Sequence, residues 1–205
     1  MFSIIQAAGW PIWPLLICSV IALTLIIERF SSLRTSRVAP RRLLDEVLGI
    51  SSQNLPTPDV VNRLAEHSLL GQVLAAGLRA VTAEPRMPAS KLQQVFELAG
   101  RRAIHQLERY LNTLGTIATA APLLGLLGTV VGMIEIFGAQ TPSGGNPAQL
   151  AHGISVALYN TAFGLMVAIP SLMFYRYFRG RVEEYVLELE QSSDRMLSHL
   201  QRFTS

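Results

Sequence analysis

The apolar stretches of the sequence contain two threonines and one glutamate whose side chains could take part in proton transfer. Thr129 and Glu135 stand in APLLGLLGTVVGMIEIFG, residues 121–138, and Thr161 stands in ALYNTAFGLMVAIP. Threonine hydroxyls can pass hydrogen bonds through water but do not titrate near neutral pH, whereas a carboxylate can take up and release a proton. These residue types fit an ion path through a membrane better than a covalent reaction.

The titratable residues in and near these stretches differ in how well their positions suit a role in proton transfer. Glu135 comes about 24 residues after Leu111, or ~36 Å along a helix, near the outer interface of a membrane. It is either an ion-uptake group or a solvated residue at a helix end. His152 is expected to have a surface role, and Glu28 with Arg29 to be solvated or paired charges. The sequence contains no nucleophile triad, phosphate loop or zinc motif, so it predicts no enzyme, cofactor or metal site, and the single cysteine excludes an intrachain disulfide.

The elements that carry these residues are predicted from the distribution of charge. Half of the 205 residues are apolar, the mean hydropathy is +0.35, and 15% are charged against about 25% in soluble domains. Lys, Arg, Asp and Glu are absent from residues 1–27, 110–134 and 136–175. Because about 20 apolar residues span a bilayer, each gap can hold one helix. The fold class is therefore an all-α membrane protein with three transmembrane helices, the last two extended into the cytoplasm as long helices beside a small helical region.

The positive-inside rule predicts the orientation of these spans. Basic residues cluster after the first span, before the second and after the third. The N-terminus is then periplasmic and the C-terminus cytoplasmic. The first span lacks the basic leading residues of a signal peptide, so we expect it to be retained. The predicted segments are 1–30 (N-terminus and first span), 31–110 (cytoplasmic helices), 111–138 (second span), 139–149 (periplasmic turn), 150–178 (third span) and 179–205 (C-terminal helix).

Two stretches outside the spans show helical periodicity. Before span two, apolar residues recur at three- and four-residue steps from Leu92 to Leu111, and the pattern predicts a helix that runs unbroken into the span. After span three, a similar pattern extends from Val182 to Phe203. The region between residues 31 and 88 is too small for an enzyme core, so we expect it to pack on these extensions as a collar.

Small residues form one stripe on each of the last two spans. Their spacing predicts close approach of helix backbones, as in many membrane helix pairs. Packing is favoured from the sequence alone, but the same faces could also surround a central space filled by another helix or by water. The stripes are Ala118, Pro122, Gly125, Thr129 and Gly132 in span two, with Gly128 beside it, and Ala157, Thr161, Gly164, Ala168 and Ser171 in span three.

Together, APLLGLLGTVVGMIEIFG and GISVALYNTAFGLMVAIPSLMFY resemble the paired signature of the MotA/TolQ/ExbB proton-channel family, especially its short ExbB/TolQ-like members. The resemblance implies a homopentamer around the helices of an ExbD- or TolR-like single-span partner that supplies a membrane aspartate. Proton flow across the bacterial inner membrane would drive a TonB- or TolA-like periplasmic transducer. By the same resemblance Thr129 and Thr161 match pore-facing threonines, and Pro170 matches the proline of span three.

One departure from the family pattern concerns Val156, where many ExbB and TolQ members have glutamate. An acid at that position is not available in this chain, so either Glu135 substitutes for it or the partner's aspartate suffices. The leading hypothesis is an ExbB-like subunit for TonB-dependent uptake. The alternatives are a TolQ-like envelope-maintenance subunit, a structural membrane scaffold and a motility stator subunit.

Overall fold

A computed structural model describes residues 10–52, 55–138 and 147–203. The expectations for the first nine residues and for the turn at 139–146 lie outside these ranges. All regular structure in the described residues is helical, and α1, α7 and α8 are long and apolar enough to cross a membrane, so the predicted fold class is confirmed. The helices are α1 (Ile12–Ser32), α2 (Thr35–Val38), α3 (Leu43–Ile50), α4 (Pro58–His67), α5 (Leu69–Ala83), α6 (Ala89–Glu108), α7 (Leu111–Gly138) and α8 (Pro147–Leu200), with a 3-10 turn at Gln201–Phe203.

The chain divides into two compact units. The first, which we call the span unit, comprises residues 1–28 and 110–177, and the second, the collar unit, comprises residues 29–109 and 178–205. In the span unit, Leu15 of α1 packs with Ala121 of α7 and Ala168 of α8, all three buried. Small residues at this contact bring the helices together without large side chains between them.

In the collar unit, α5 packs against both α4 and α6. The predicted apolar stripe of α6 is confirmed, since Leu92, Phe96 and Leu107 are buried. The phenyl ring of Phe96 lies directly over Gly77 of α5, where an added Cβ would collide with the ring. The stripe of the C-terminal helix is likewise buried at Val182, Leu189, Met196 and Leu200.

The helix before span two is interrupted rather than continuous. Arg109 has a ψ of 134°, outside the helical range, and Tyr110 has a φ of 63°. The Tyr110 carbonyl then accepts the amide hydrogen of Leu114 and begins α7. Our expectation of an unbroken helix was therefore wrong at these two residues. A left-handed conformation is rare for a tyrosine, so residue type gave no warning of the break.

Arg29 is a buried residue of the collar unit. Its side chain is 2% exposed, and its Nη1 atom donates to the Leu107 carbonyl oxygen at 3.1 Å. The last four carbonyls of a helix lack partners within the helix, and that end carries partial negative charge. Arg29 thus caps the C-terminal end of α6, which replaces the solvated alternative expected from the sequence.

Candidate functional site in the apolar helices

Helices α7 and α8 approach closely through their small residues. An added Cβ at Gly125 would lie 2.7 Å from the Asn160 carbonyl oxygen, and one at Gly164 would lie 2.6 Å from the Ala121 carbonyl oxygen. Further along, a Cβ at Gly132 would lie 3.1 Å from that of Ala157. The two predicted stripes therefore face each other within one chain, and contact pairs that run in opposite directions make the helices antiparallel.

The same register brings the two predicted threonines to one level of the helix pair. Gly128 packs on Asn160, so Thr129 lies level with Asn160 and Thr161. Thr161 Oγ1 donates to the Gly125 carbonyl oxygen at 3.3 Å, and Thr129 Oγ1 donates to the Leu126 carbonyl oxygen at 2.7 Å. Both side chains are partly exposed.

Thr129 also borders an apolar surface groove. The groove is formed by one face of α7, and its other lining residues are Val130, Met133, Ile134 and Phe137. Since Val130, Ile134 and Phe137 are large, apolar and exposed, this face is suited to lipid or to another apolar helix. Pro122 and Pro170 lie inside α7 and α8, where each removes one backbone hydrogen bond.

A cleft of about 290 Å³ lies between α7 and α8, beside the level of Thr129 and Thr161. Glu135 and His152, both exposed, line it together with Val156 and the buried Asn160. The sequence considered Glu135 and His152 separately, whereas the structure brings them to one cleft. Val156 forms an apolar part of the wall of the same cleft, and Glu135 is the acid in its lining.

Asn160 was not singled out from the sequence. It is 1% exposed and packs against Gly128, where an added Cβ would lie 2.7 Å from the Asn160 Cβ. A usable signal existed, because a carboxamide inside an apolar span favours a hydrogen-bonded or functional position.

The comparison with known proteins decides the family. Residues 65–191 match the model of the MotA/TolQ/ExbB proton channel family. The chain belongs to this family. This match confirms the resemblance recognised from the sequence.

Individual relatives named ExbB and TolQ are also similar to the chain. Biopolymer transport protein exbB1 of Vibrio cholerae is 32% identical over 170 residues, covering 82% of this chain and 74% of that protein. Putative biopolymer transport protein ExbB-like 3 of Synechocystis is 32% identical over 191 residues, covering 91% and 89%. Tol-Pal system protein TolQ of Haemophilus influenzae is 41% identical over 92 residues, covering 43% and 40%.

Proposed function

We propose that this protein is an ExbB-like inner-membrane subunit that couples proton flow to a TonB-type periplasmic transducer for outer-membrane uptake. Similarity to relatives named ExbB over most of the chain supports this assignment. A TolQ-like role in envelope maintenance is the second candidate, supported by the higher identity to TolQ over a shorter stretch. In either system the subunit has a periplasmic N-terminus and a cytoplasmic C-terminus.

The observation that carries the proposal is the set of polar groups on α7 and α8 at the level of Thr129 and Thr161, which we call the threonine level. Residues 110–134 and 136–175 contain no Asp, Glu, Lys or Arg, so the middle of α7 and α8 offers hydroxyls and one carboxamide but no acid. A proton path here needs a titrating group from outside the chain. We propose that a single-span ExbD- or TolR-like partner supplies it as a membrane aspartate, inside a homopentamer of this subunit.

The two hydroxyls contribute differently to such a path. A hydroxyl has one hydrogen and two lone pairs. The Thr129 hydroxyl donates its hydrogen to the Leu126 carbonyl oxygen, with 2.7 Å between the two oxygens, so Thr129 offers mainly lone pairs and favours a protonated partner carboxyl. The Thr161 hydroxyl oxygen lies 3.3 Å from the Gly125 carbonyl oxygen, longer than the usual O–H···O separation, so its hydrogen can turn toward water. Thr161 is therefore the better relay and Thr129 the better acceptor.

Proton flux into liposomes tests these roles. The full chain and the single-span partner that co-purifies with it would be reconstituted with a pH-sensitive dye, under an imposed potential that supplies about 2.3 kcal/mol per charge per 100 mV. Thr161→Val should reduce flux, whereas Thr161→Ser should retain most of it because the hydroxyl remains. Thr24→Val is the control for loss of a threonine hydroxyl from an apolar helix, since exposed Thr24 of α1 donates within its own helix, at the Val20 carbonyl, rather than to a neighbouring helix. Equal flux in Thr161→Val and wild type would remove the proposed role of Thr161.

Growth experiments separate the two systems. Deletion of the gene should abolish energised uptake through the outer membrane if the subunit is ExbB-like, and should cause envelope leakage if it is TolQ-like. Absence of both proton flux and partner binding in the wild-type preparation would instead favour a structural scaffold. Loss of motility would favour a stator subunit.

A further inference from the structure

The cleft between α7 and α8 has two titratable groups in its lining. Glu135 belongs to the last turns of α7 and His152 to the first turns of α8. The remaining lining residues are glycine, alanine, valine, isoleucine, proline and the carboxamide Asn160. Within the described parts of the chain, neither the carboxylate nor the imidazole makes an ion pair or a hydrogen bond. Both side chains are exposed.

The cleft leads from these groups toward the threonine level. Asn160 is buried and lines the cleft, and its neighbour Thr161 contacts the Gly125 carbonyl. His152 and Asn160 are eight residues apart on α8, or about 12 Å at 1.5 Å per residue. The volume of about 290 Å³ has room for several water molecules, each of which occupies roughly 30 Å³ in the liquid. Polar groups thus occur at both the exposed and the buried parts of one space that is large enough for water.

We propose that Glu135 and His152 form a proton-loading pair at the mouth of this cleft. The Glu135 carboxylate takes a proton from bulk water and releases it to water inside the cleft, so that one O–H bond forms as another breaks. His152 exchanges protons with the same water and changes the charge that Glu135 experiences. Asn160 orients the last water before Thr161. The inference rests on the proposed function, because it supplies the uptake step of that channel.

A metal ion is a poorer occupant than a proton for this pair. One carboxylate and one imidazole provide two ligands of the usual metal-binding types, whereas zinc sites use three or four protein ligands. The apolar residues that form most of the wall supply no further side-chain donor. The side chains of the cleft therefore suit proton exchange better than metal binding.

Flux measurements on the reconstituted complex provide the first test. Glu135→Gln keeps the shape of the side chain and removes its charge, and it should lower proton flux by about tenfold or more, as for other positioned acid–base groups. Glu135→Asp should restore most of the flux. The matched controls are Glu183→Gln, at an exposed residue of the collar unit, and Ser155→Ala, at an exposed α8 residue whose hydroxyl donates to the Ala151 carbonyl. Unchanged flux in Glu135→Gln, with wild-type flux present, overturns the proposal.

Infrared difference spectroscopy of the purified chain tests the pair without depending on flux. Acidification protonates all 14 acidic residues, so the Glu135 carboxyl is the component of the band that is missing in Glu135→Gln, and this component should shift in His152→Gln because the two groups face one cleft. If the wild-type complex carries no protons, the proposed function fails while this spectrum still decides the pair. A Glu135 band that is identical in wild type and His152→Gln overturns the coupling of the two residues.

Discussion

Gly164→Ala should destabilise the span unit, although alanine is the better helix former. The added Cβ would lie 2.6 Å from the Ala121 carbonyl oxygen and 3.0 Å from the Gly125 Cα. Both neighbours are backbone atoms, so neither can rotate away as a side chain could. Helix α7 would have to move by about 0.8 Å to bring the closer contact to an ordinary 3.4 Å.

The expected loss in the free energy of unfolding is the balance of two costs and one gain. Overpacking a well-packed contact costs about 1–3 kcal/mol. A displacement of this size also lengthens the 3.3 Å hydrogen bond from Thr161 to Gly125 past its useful range, which costs about 1 kcal/mol. Replacing glycine with alanine in a helix returns about 0.8–1 kcal/mol. The net free energy of unfolding should fall by about 1–3 kcal/mol, the range set by the overpacking term.

Gly180→Ala is the matched control on the same helix. No atom lies within 4 Å of the position that its Cβ would occupy, so only the gain in helix propensity of about 1 kcal/mol remains. Both variants would be unfolded in detergent micelles by heat or by added dodecyl sulfate, with helicity followed by circular dichroism. The two variants should shift stability in opposite directions. Equal stabilisation by both substitutions would refute the close backbone contact at Gly164.

Three further predictions concern buried polar groups and the acid of the cleft. Arg29→Met removes a charged hydrogen bond at the end of α6 and should cost about 1.5–3 kcal/mol, measured by thermal unfolding. Tyr185→Phe leaves the buried Leu33 carbonyl without the hydroxyl that donates to it at 3.0 Å, and should cost about 1–3 kcal/mol in the same assay. In the Glu135→Gln background, Val156→Glu returns an acid to the same cleft and should restore proton flux.

Exposed residues provide the controls for these predictions. Arg101→Met breaks a surface ion pair with Glu97 and should change stability by less than about 1 kcal/mol. Tyr159 is 42% exposed, so Tyr159→Phe should be nearly neutral. Losses at Arg29 or Tyr185 no larger than those at these surface positions would contradict the assigned contacts. If the Glu135→Gln, Val156→Glu double variant forms an intact complex but still lacks proton flux, the acid must lie on α7.

The helices were predictable because their causes are local in the sequence. Long gaps between charges indicate spans, and three- and four-residue apolar steps indicate the buried face of an amphipathic helix. The break at Tyr110 was not predictable, because a left-handed backbone is marked in sequences by glycine or asparagine rather than tyrosine. The cap at Arg29 was missed for a different reason. An arginine at the end of a span is expected at the interface, and only tertiary structure brings the end of α6 to it.

The site was predictable only in part, because the sequence identifies faces but not their partners. The small stripes of α7 and α8 pointed to close contact, yet they could equally have met in different chains. Glu135 lies in the last turns of α7 and His152 in the first turns of α8, so their approach could have been anticipated once the two helices were taken as antiparallel. The burial of Asn160 required the register of the two helices.

The register also explains how packing and proton transfer can use the same faces. Glycine at 125 and 164 lets the backbones approach until the Thr161 hydroxyl reaches a carbonyl of the other helix. A bulkier pair would separate the helices and leave that hydroxyl to its own helix, as Thr129 is. The length of the bond from Thr161 then sets how readily its hydrogen turns toward water. Substitutions that separate α7 from α8 should therefore alter flux through Thr161 before they prevent assembly, and Thr161→Val should reduce flux more than Thr129→Val.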